Sequence, residues 1–376
     1  MDAFSAVRLA VTAHYERYVY PQFPLLSSVK KADTYALNLE SLWARFNGEK
    51  PGAEDQQILL AGCGSFSPYP TAVANPNAKI TALDLSRANL RRARFHTLLH
   101  GYFNVNFIAD DLLQAPAFLK HHSFHFIDCY GVLHHIPDIS TALQTIHRLL
   151  KPGAMARMMV YSHGARRRVQ SAARAMRLAG INDVKKIRAA YHKTTQTSRF
   201  RQCIDADYES EFDWGLADMF LHPYARIYRL DELLALFDEA HLEPLLFTHY
   251  GALPDTEAEI ARLKTLETRR LLSTHFVLLA GRTEDAEMRR RWQEAKIAGD
   301  TLISLNPVIK NALPFLPFIS LKPSSKLGFD NPLIDTKANF LLSRFKHPVK
   351  KSTISPAEWQ ALQKYLQALF LIETRV

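Results

Sequence analysis

Between residues 57 and 161, short apolar runs alternate with stretches of helical periodicity. Gln57–Ala61, Lys79–Asp84, Val105–Ala109, Phe124–Tyr130 and Ala154–Tyr161 have the length and apolar content of buried strands. Arg87–His100 reads as a helix closed by Gly101, and Thr141–Leu150 as another that stops at Lys151-Pro152-Gly153. Strands separated by helices predict an α/β fold with a doubly wound parallel sheet. Right-handed crossovers then gather the strands' carboxyl ends on one edge, where such sheets bind ligands.

The alternation lapses over about 164–228. His163–Gly180 carries Val169, Ala173 and Met176 at helical spacing among Arg166, Arg167, Arg168, Arg174 and Arg177, while 187–213 reads as polar and irregular. This is an insertion after strand five, placed over the sheet edge. The pattern then resumes with a helix at Asp231–Ala240, a strand at Pro244–Tyr250, a helix at Thr256–Leu271 and a strand at Thr274–Gly281. Three units follow: 1–50, a helical and aromatic cover broken by the prolines of Tyr18–Pro24; 51–283, the central domain; and 284–376, a small, mainly helical appendage. The appendage opens on a basic helix, Ala286–Ala298. It closes on a helix announced by the capping box Ser355-Pro356-Ala357-Glu358, with Trp359, Leu362, Leu366, Leu369 and Phe370 as its apolar face.

At 376 residues and 47% hydrophobic content the chain can bury a sizeable core. Cys63, Cys129 and Cys203 are scattered, without a CxxC pair or zinc-like histidine spacing. The expectation is therefore no metal site and a reduced, cytoplasmic setting. No apolar run suits a signal peptide or a membrane span; the nearest, 312–321, is interrupted by Pro314 and Pro317. The net charge of +10 would suggest RNA, but its distribution weakens that inference. Residues 151–202 hold 13 Lys/Arg against one acid, and 203–259 hold 14 acids against two arginines. Opposite blocks so close together can pair internally.

The chemistry starts at the first strand's end, Ala61-Gly62-Cys63-Gly64. Two glycines permit a sharp turn and a close ligand approach, and the helix that follows offers free N–H groups. Twenty residues beyond Gly64, Asp84 ends the second strand, where an acid accepts from both hydroxyls of a ribose. Asp111 ends the third, placed either for an adenine amine or as a helix cap. These features point to a nucleoside cofactor.

Strand four is followed by Gly131-Val132-Leu133-His134-His135-Ile136-Pro137-Asp138, and the next helix ends in Leu149-Leu150-Lys151-Pro152-Gly153. With the glycine turn and Leu83-Asp84-Leu85-Ser86, this set resembles the class I S-adenosylmethionine-dependent methyltransferases. Three further segments, Tyr15–Pro21, Val160–Ser162 and Leu221–Pro223, resemble a bacterial group of that family, some of whose members are fused to tetratricopeptide repeats. The resemblance implies a Rossmann-like sheet of seven strands with one antiparallel member, S-adenosylmethionine as methyl donor and S-adenosylhomocysteine as product. It implies cofactor contacts at Gly62, Cys63 and Gly64 for the methionine end, Asp84 and Leu85 for the ribose, Asp111 and Leu112 for the adenine, and Tyr130 facing the transfer region. Ala61 stands where the family commonly has an acid, Phe66 where it has a third glycine, and His125 where it has an Asp.

Methyl transfer chiefly requires alignment and exclusion of water, with a general base where the nucleophile is protonated. Tyr161, His163 and His134 are the catalytic candidates, and His135 and His222 are further candidates near the strand ends. Tyr15 and Tyr20 could cover the cofactor. The leading expectation is methyl transfer to a small molecule or peptide. The alternatives are an RNA methyltransferase using the basic insertion and the C-terminal region, an NAD(P) oxidoreductase, and a non-catalytic adaptor.

Overall fold

A computed structural model describes residues 3–52, 56–314 and 319–376. Seven strands form the main sheet: β1 (Gln57–Ala61), β2 (Lys79–Asp84), β3 (Val105–Ala109), β4 (Phe124–Tyr130), β5 (Leu150–Val160), β6 (Leu242–Phe247) and β7 (Phe276–Arg282). Their order is β3-β2-β1-β4-β5-β7-β6. The first five run parallel, and β7 is antiparallel to both neighbours. The chain reverses its direction of winding between β1 and β4, so a crevice opens there beyond the strands' carboxyl ends.

β5 starts earlier than its apolar run suggests. Leu150 pairs with Phe124 and Met155 with Phe126, so the Lys-Pro-Gly run bulges out of a strand already begun, and Gly153 adopts φ +80° to allow it. β6 and β7 lie within a few residues of the segments read from the sequence.

The insertion differs from expectation. It is helical at His163–Leu178, Val184–Lys193, Arg199–Asp205 and Asp213–Leu221, so 187–213 is not irregular. Asp183 and Ser198 cap two of these helices by accepting from the N–H groups of Lys186 and Arg201. Each of the two buries only one or two apolar side chains (Val184 and Ile187, Ile204), too few to show a period in the sequence. They close instead on a small core of their own with Met176, Leu216 and Phe220, to which Tyr18 adds its ring.

The C-terminal region holds a second, three-stranded antiparallel sheet that the periodicity did not reveal: β8 (Thr301–Leu305), β9 (Val349–Lys350) and β10 (Leu371–Arg375), in the order β10-β8-β9. The capped final helix ends at Gln367, so Leu369 and Phe370 are not on its face; they are buried in the turn into β10. This region grips residues 31–48. Asn306 Nδ2 donates to Tyr35 O at 3.1 Å, Trp292 Nε1 to Arg45 O at 3.2 Å, and Arg375 N to Gly48 O at 2.7 Å. One apolar core runs from the main sheet through Tyr35, Leu39 and Leu42 to Ile303, Leu362 and Phe370. Residues 315–318, part of the apolar run noted above, lie outside the described residues. Among those described, no helix is long and apolar enough to cross a membrane.

Candidate active site

The turn after β1 is braced from three sides. Gly62 N and Cys63 N both donate to Leu83 O, at 2.8 and 2.9 Å, and Gly64 N donates to Asp84 Oδ2 at 2.8 Å. Both glycines have positive φ, +75° and +57°. The space a Cβ would need is taken by protein: Val132's side chain beside Gly62, and the carbonyl of Tyr20 beside Gly64. Gly64 thus lets the N-terminal segment close onto the turn, and Gly62 admits Val132. Ser65 N donates to Tyr20 O at 2.9 Å, Tyr20 N donates to Asn89 Oδ1 at 3.0 Å, and Ser65 Oγ bonds Pro21 O. Helix Ala3–Arg17 docks alongside through Glu16, which accepts from Ser86 Oγ and Ala88 N.

Beneath this cover lies a cleft of about 280 Å³. Gly62, Cys63, Gly64, Asp84, Leu85, Asp111, Leu112 and Tyr130 all line it. Asp84 Oδ1 accepts from Ser86 N at 2.8 Å and, at the longer distance of 3.4 Å, from Asn89 Nδ2. A lone pair remains on Oδ2 for a ligand hydroxyl, and the long Asn89 contact is one that a second hydroxyl can displace. Burial pushes the Asp84 pKa up, against the hydrogen bonds that lower it. Asp111 is a cap that also faces the cleft. It caps the next turn by accepting from Leu113 N at 3.0 Å, lies 3.9 Å from Arg8, and lines the cleft.

The opposite wall of the cleft is built from the insertion, the end of β5 and the loop after β4. Tyr161 and His135 line the cleft, together with Tyr15, Tyr20, Glu209 and Asp218. His134 does not reach it. Fully buried, it stacks on Tyr161 at 3.5 Å between ring centroids, and neither ring nitrogen has a partner among the described residues. His163 is not among the lining residues either; it starts the helix behind Tyr161. Arg166 is buried with its guanidinium 4.2 Å above the Tyr161 ring. Burial raises the Tyr161 hydroxyl well above its ordinary pKa, so it stays protonated.

Three buried groups, His135, Asp218 and His222, bring nitrogen and oxygen donors within 4.8 Å of one another. The backbone of Tyr224 fixes both rings. Its carbonyl can only accept, so His135 Nδ1 carries the proton of that 2.8 Å bond and leaves Nε2 bare. Its N–H donates to His222 Nδ1 at 3.2 Å, so the neutral His222 ring is protonated on Nε2 and has no lone pair there for a cation. Burial lowers the pKa of His135, partly offset by Asp218.

Asp218 accepts from Tyr15 OH at 3.0 Å and Glu209 from Tyr20 OH at 2.9 Å. Sequence reasoning named both tyrosines but neither acid, because Glu209 and Asp218 sit among many acids in the 203–259 block and only folding carries them to the cleft. A larger hollow of about 530 Å³ within the insertion, lined by Ile187, Tyr191 and Asp207 among others, contains none of the strand-end residues.

No Lys or Arg is among the cleft's described lining residues, whereas Asp84, Asp110, Asp111, Glu209 and Asp218 are. That suits a ligand bearing a sulfonium and an ammonium. Residues 53–206 match the methyltransferase domain family. Those residues carry a methyltransferase domain. An uncharacterized protein of Synechococcus sp. is 26% identical over 74% of this chain and 72% of its own length. The ubiquinone biosynthesis O-methyltransferase of Pseudomonas aeruginosa is 31% identical over 28% of this chain and 44% of its own, so the match spans less than half the length of that relative. PKMT2 from Rickettsia typhi superposes with a TM-score of 0.57 over 94% of this chain and 77% of that one, at 13% identity, a likeness of fold.

Proposed function

We propose that the protein moves a methyl group from S-adenosylmethionine to a small-molecule or peptide acceptor held in the cleft between β1 and β4. One observation carries this reading: the eight positions implied by family resemblance line a single cleft, and that cleft continues into a wall of Tyr15, His135, Tyr161 and Asp218. When bound, the cofactor supplies an electrophilic methyl on a positively charged sulfur. The protein's residues align and enclose. Asp84 takes the ribose hydroxyls, Asp111 and Leu112 flank the adenine, Leu85 packs beside the ribose, and Gly62, Cys63 and Gly64 border the methionine end. Tyr130 and Tyr161 shape the transfer region.

His135 is the group suited to receive an acceptor's proton, because Tyr224 O leaves its Nε2 unprotonated and Nε2 belongs to a lining side chain. Protonated Tyr161 serves as a donor or a wall, and His134 stacks on it from behind. The enclosure by residues 1–50 and 164–228 favours an acceptor that can enter a covered cleft over a folded RNA. Calorimetric titration with S-adenosylhomocysteine and, separately, NAD tests the reading. Binding of the first without the second is expected; the reverse would overturn it.

A further inference from the structure

The cofactor's methionine ammonium needs an anion, and the end of β1, Leu60 and Ala61, is buried and apolar and offers none. The cleft offers five carboxylates. Four have other duties: Asp84 braces Gly64 N and Ser86 N, Asp110 accepts from Asp111 N, Asp111 caps Leu113 N, and Asp218 accepts from Tyr15 and adjoins His135 and His222. Glu209, like Asp218, accepts from a tyrosine hydroxyl, and what sets it apart is that its tyrosine is seated on the glycine turn. One of its oxygens accepts from Tyr20 OH, and among the described residues no cation lies within ion-pair distance of it. It also neighbours the largely exposed Tyr208 hydroxyl, a neutral donor, and Arg166 favours its charge from beyond ion-pair distance.

Its place in the fold is set by Tyr20. The Tyr20 carbonyl is seated on the glycine turn, accepting from Ser65 N and lying 2.8 Å from where a Gly64 Cβ would be. The Tyr20 hydroxyl, at the other end of that residue, holds Glu209. A carboxylate delivered by the insertion is thereby tethered to the turn that borders the methionine end of the cofactor. Burial, Asp207 and Asp218 raise its pKa, against the Tyr20 hydrogen bond and Arg166, which lower it, and an incoming cation would further favour the charged form.

We propose that Glu209 binds the α-ammonium of the cofactor's methionine moiety, supplying the anion that the end of β1 lacks. This rests on the cofactor reading above. The insertion then belongs to the cofactor site as well as to the acceptor site.

The test compares S-adenosylhomocysteine with 5′-methylthioadenosine, which keeps the adenosine and thioether but lacks the amino acid. Glu209→Gln, whose amide can still accept from Tyr20, is expected to weaken S-adenosylhomocysteine at least tenfold in calorimetry while methylthioadenosine changes less than twofold. Unchanged S-adenosylhomocysteine affinity would overturn the proposal and assign Glu209 to the acceptor. A parallel loss for both ligands would also overturn it, as a structural effect. A wild-type protein that binds neither ligand would remove the cofactor reading itself. Should Glu209→Gln fail to fold, Glu209→Asp, one methylene shorter, gives the same comparison.

Discussion

The Asp84 carboxylate accepts a hydrogen bond from the Gly64 backbone N–H at 2.8 Å, so the acid read as a ribose ligand also shapes the turn that would receive the methionine end. Asp84→Ala removes both roles. S-adenosylhomocysteine binding should weaken by about 1.5–3 kcal/mol, the scale of hydrogen bonds to a charged group. Calorimetry on a folded Asp84→Ala protein checks this; undiminished affinity would reduce Asp84 to a brace.

Gly64→Val should act first on the cover and through it on binding. The new Cβ would lie 2.8 Å from Tyr20 O, at a φ of +57° that a branched residue tolerates poorly. Residues 18–23 should lift from the turn and become sensitive to limited proteolysis, with loss of S-adenosylhomocysteine binding. A variant that binds while its N-terminal segment stays protected would show that this contact is dispensable.

Acid should destabilise the protein before its carboxylates titrate. Burial lowers the pKa of His14 and His275 to about 4, and lowers His134, His135 and His222 as well. Below about pH 6.5 the unfolded chain takes up protons that these folded rings refuse, so stability falls as pH drops from about 6.5 towards 4. Denaturant melts at pH values of about 7.5, 6 and 5 should show the midpoint decreasing at each step. A flat profile would mean that these rings protonate freely in the folded state.

Truncation after Glu284 should spare every lining residue of the cleft, which all fall between Val11 and Asp218. It would nevertheless strip Ile303 and Phe370 from the core they share with Tyr35 and Leu39, and remove the buried Trp292 that bonds Arg45 O. The expected product is aggregation-prone, with a melting temperature well below that of the full chain. A soluble fragment of unchanged stability would mark the C-terminal region as an independent unit.

The arginine run at the start of the insertion divides by burial. Arg166 lies over Tyr161, whereas Arg168 is exposed and Arg167 half-buried. Arg167→Gln with Arg168→Gln should leave cofactor affinity within about threefold, under the ~1.4 kcal/mol of a tenfold change. Among the described residues the ion pairs that join the basic and acidic blocks are Arg188–Asp213 and Arg201–Asp205, so internal pairing covers less of the basic block than its composition allowed. RNA binding is still expected to be weak at physiological salt. Tight binding with a steep salt slope, lost in the double variant, would make RNA the leading acceptor.

The alternation of strands and helices, the glycine turn, Asp84 and Asp111 were legible in the chain because each is local: a period of two or 3.6, or an acid at a strand's end. Those signals determined the class of fold and the strand-end side of the cleft. The opposite wall was decided by tertiary structure. His135 rather than His134 faces the cleft because the turn after β4 directs adjacent side chains differently, a choice two identical residues cannot encode by spacing. Glu209 and Asp218 came from an acidic block without periodicity, and are singled out only where Tyr20 and Tyr15 meet them across 189 and 203 residues of chain. The C-terminal sheet was hidden for the same reason: its short strands pair across gaps of dozens of residues, and such pairing is fixed by the shared core, which no local window contains.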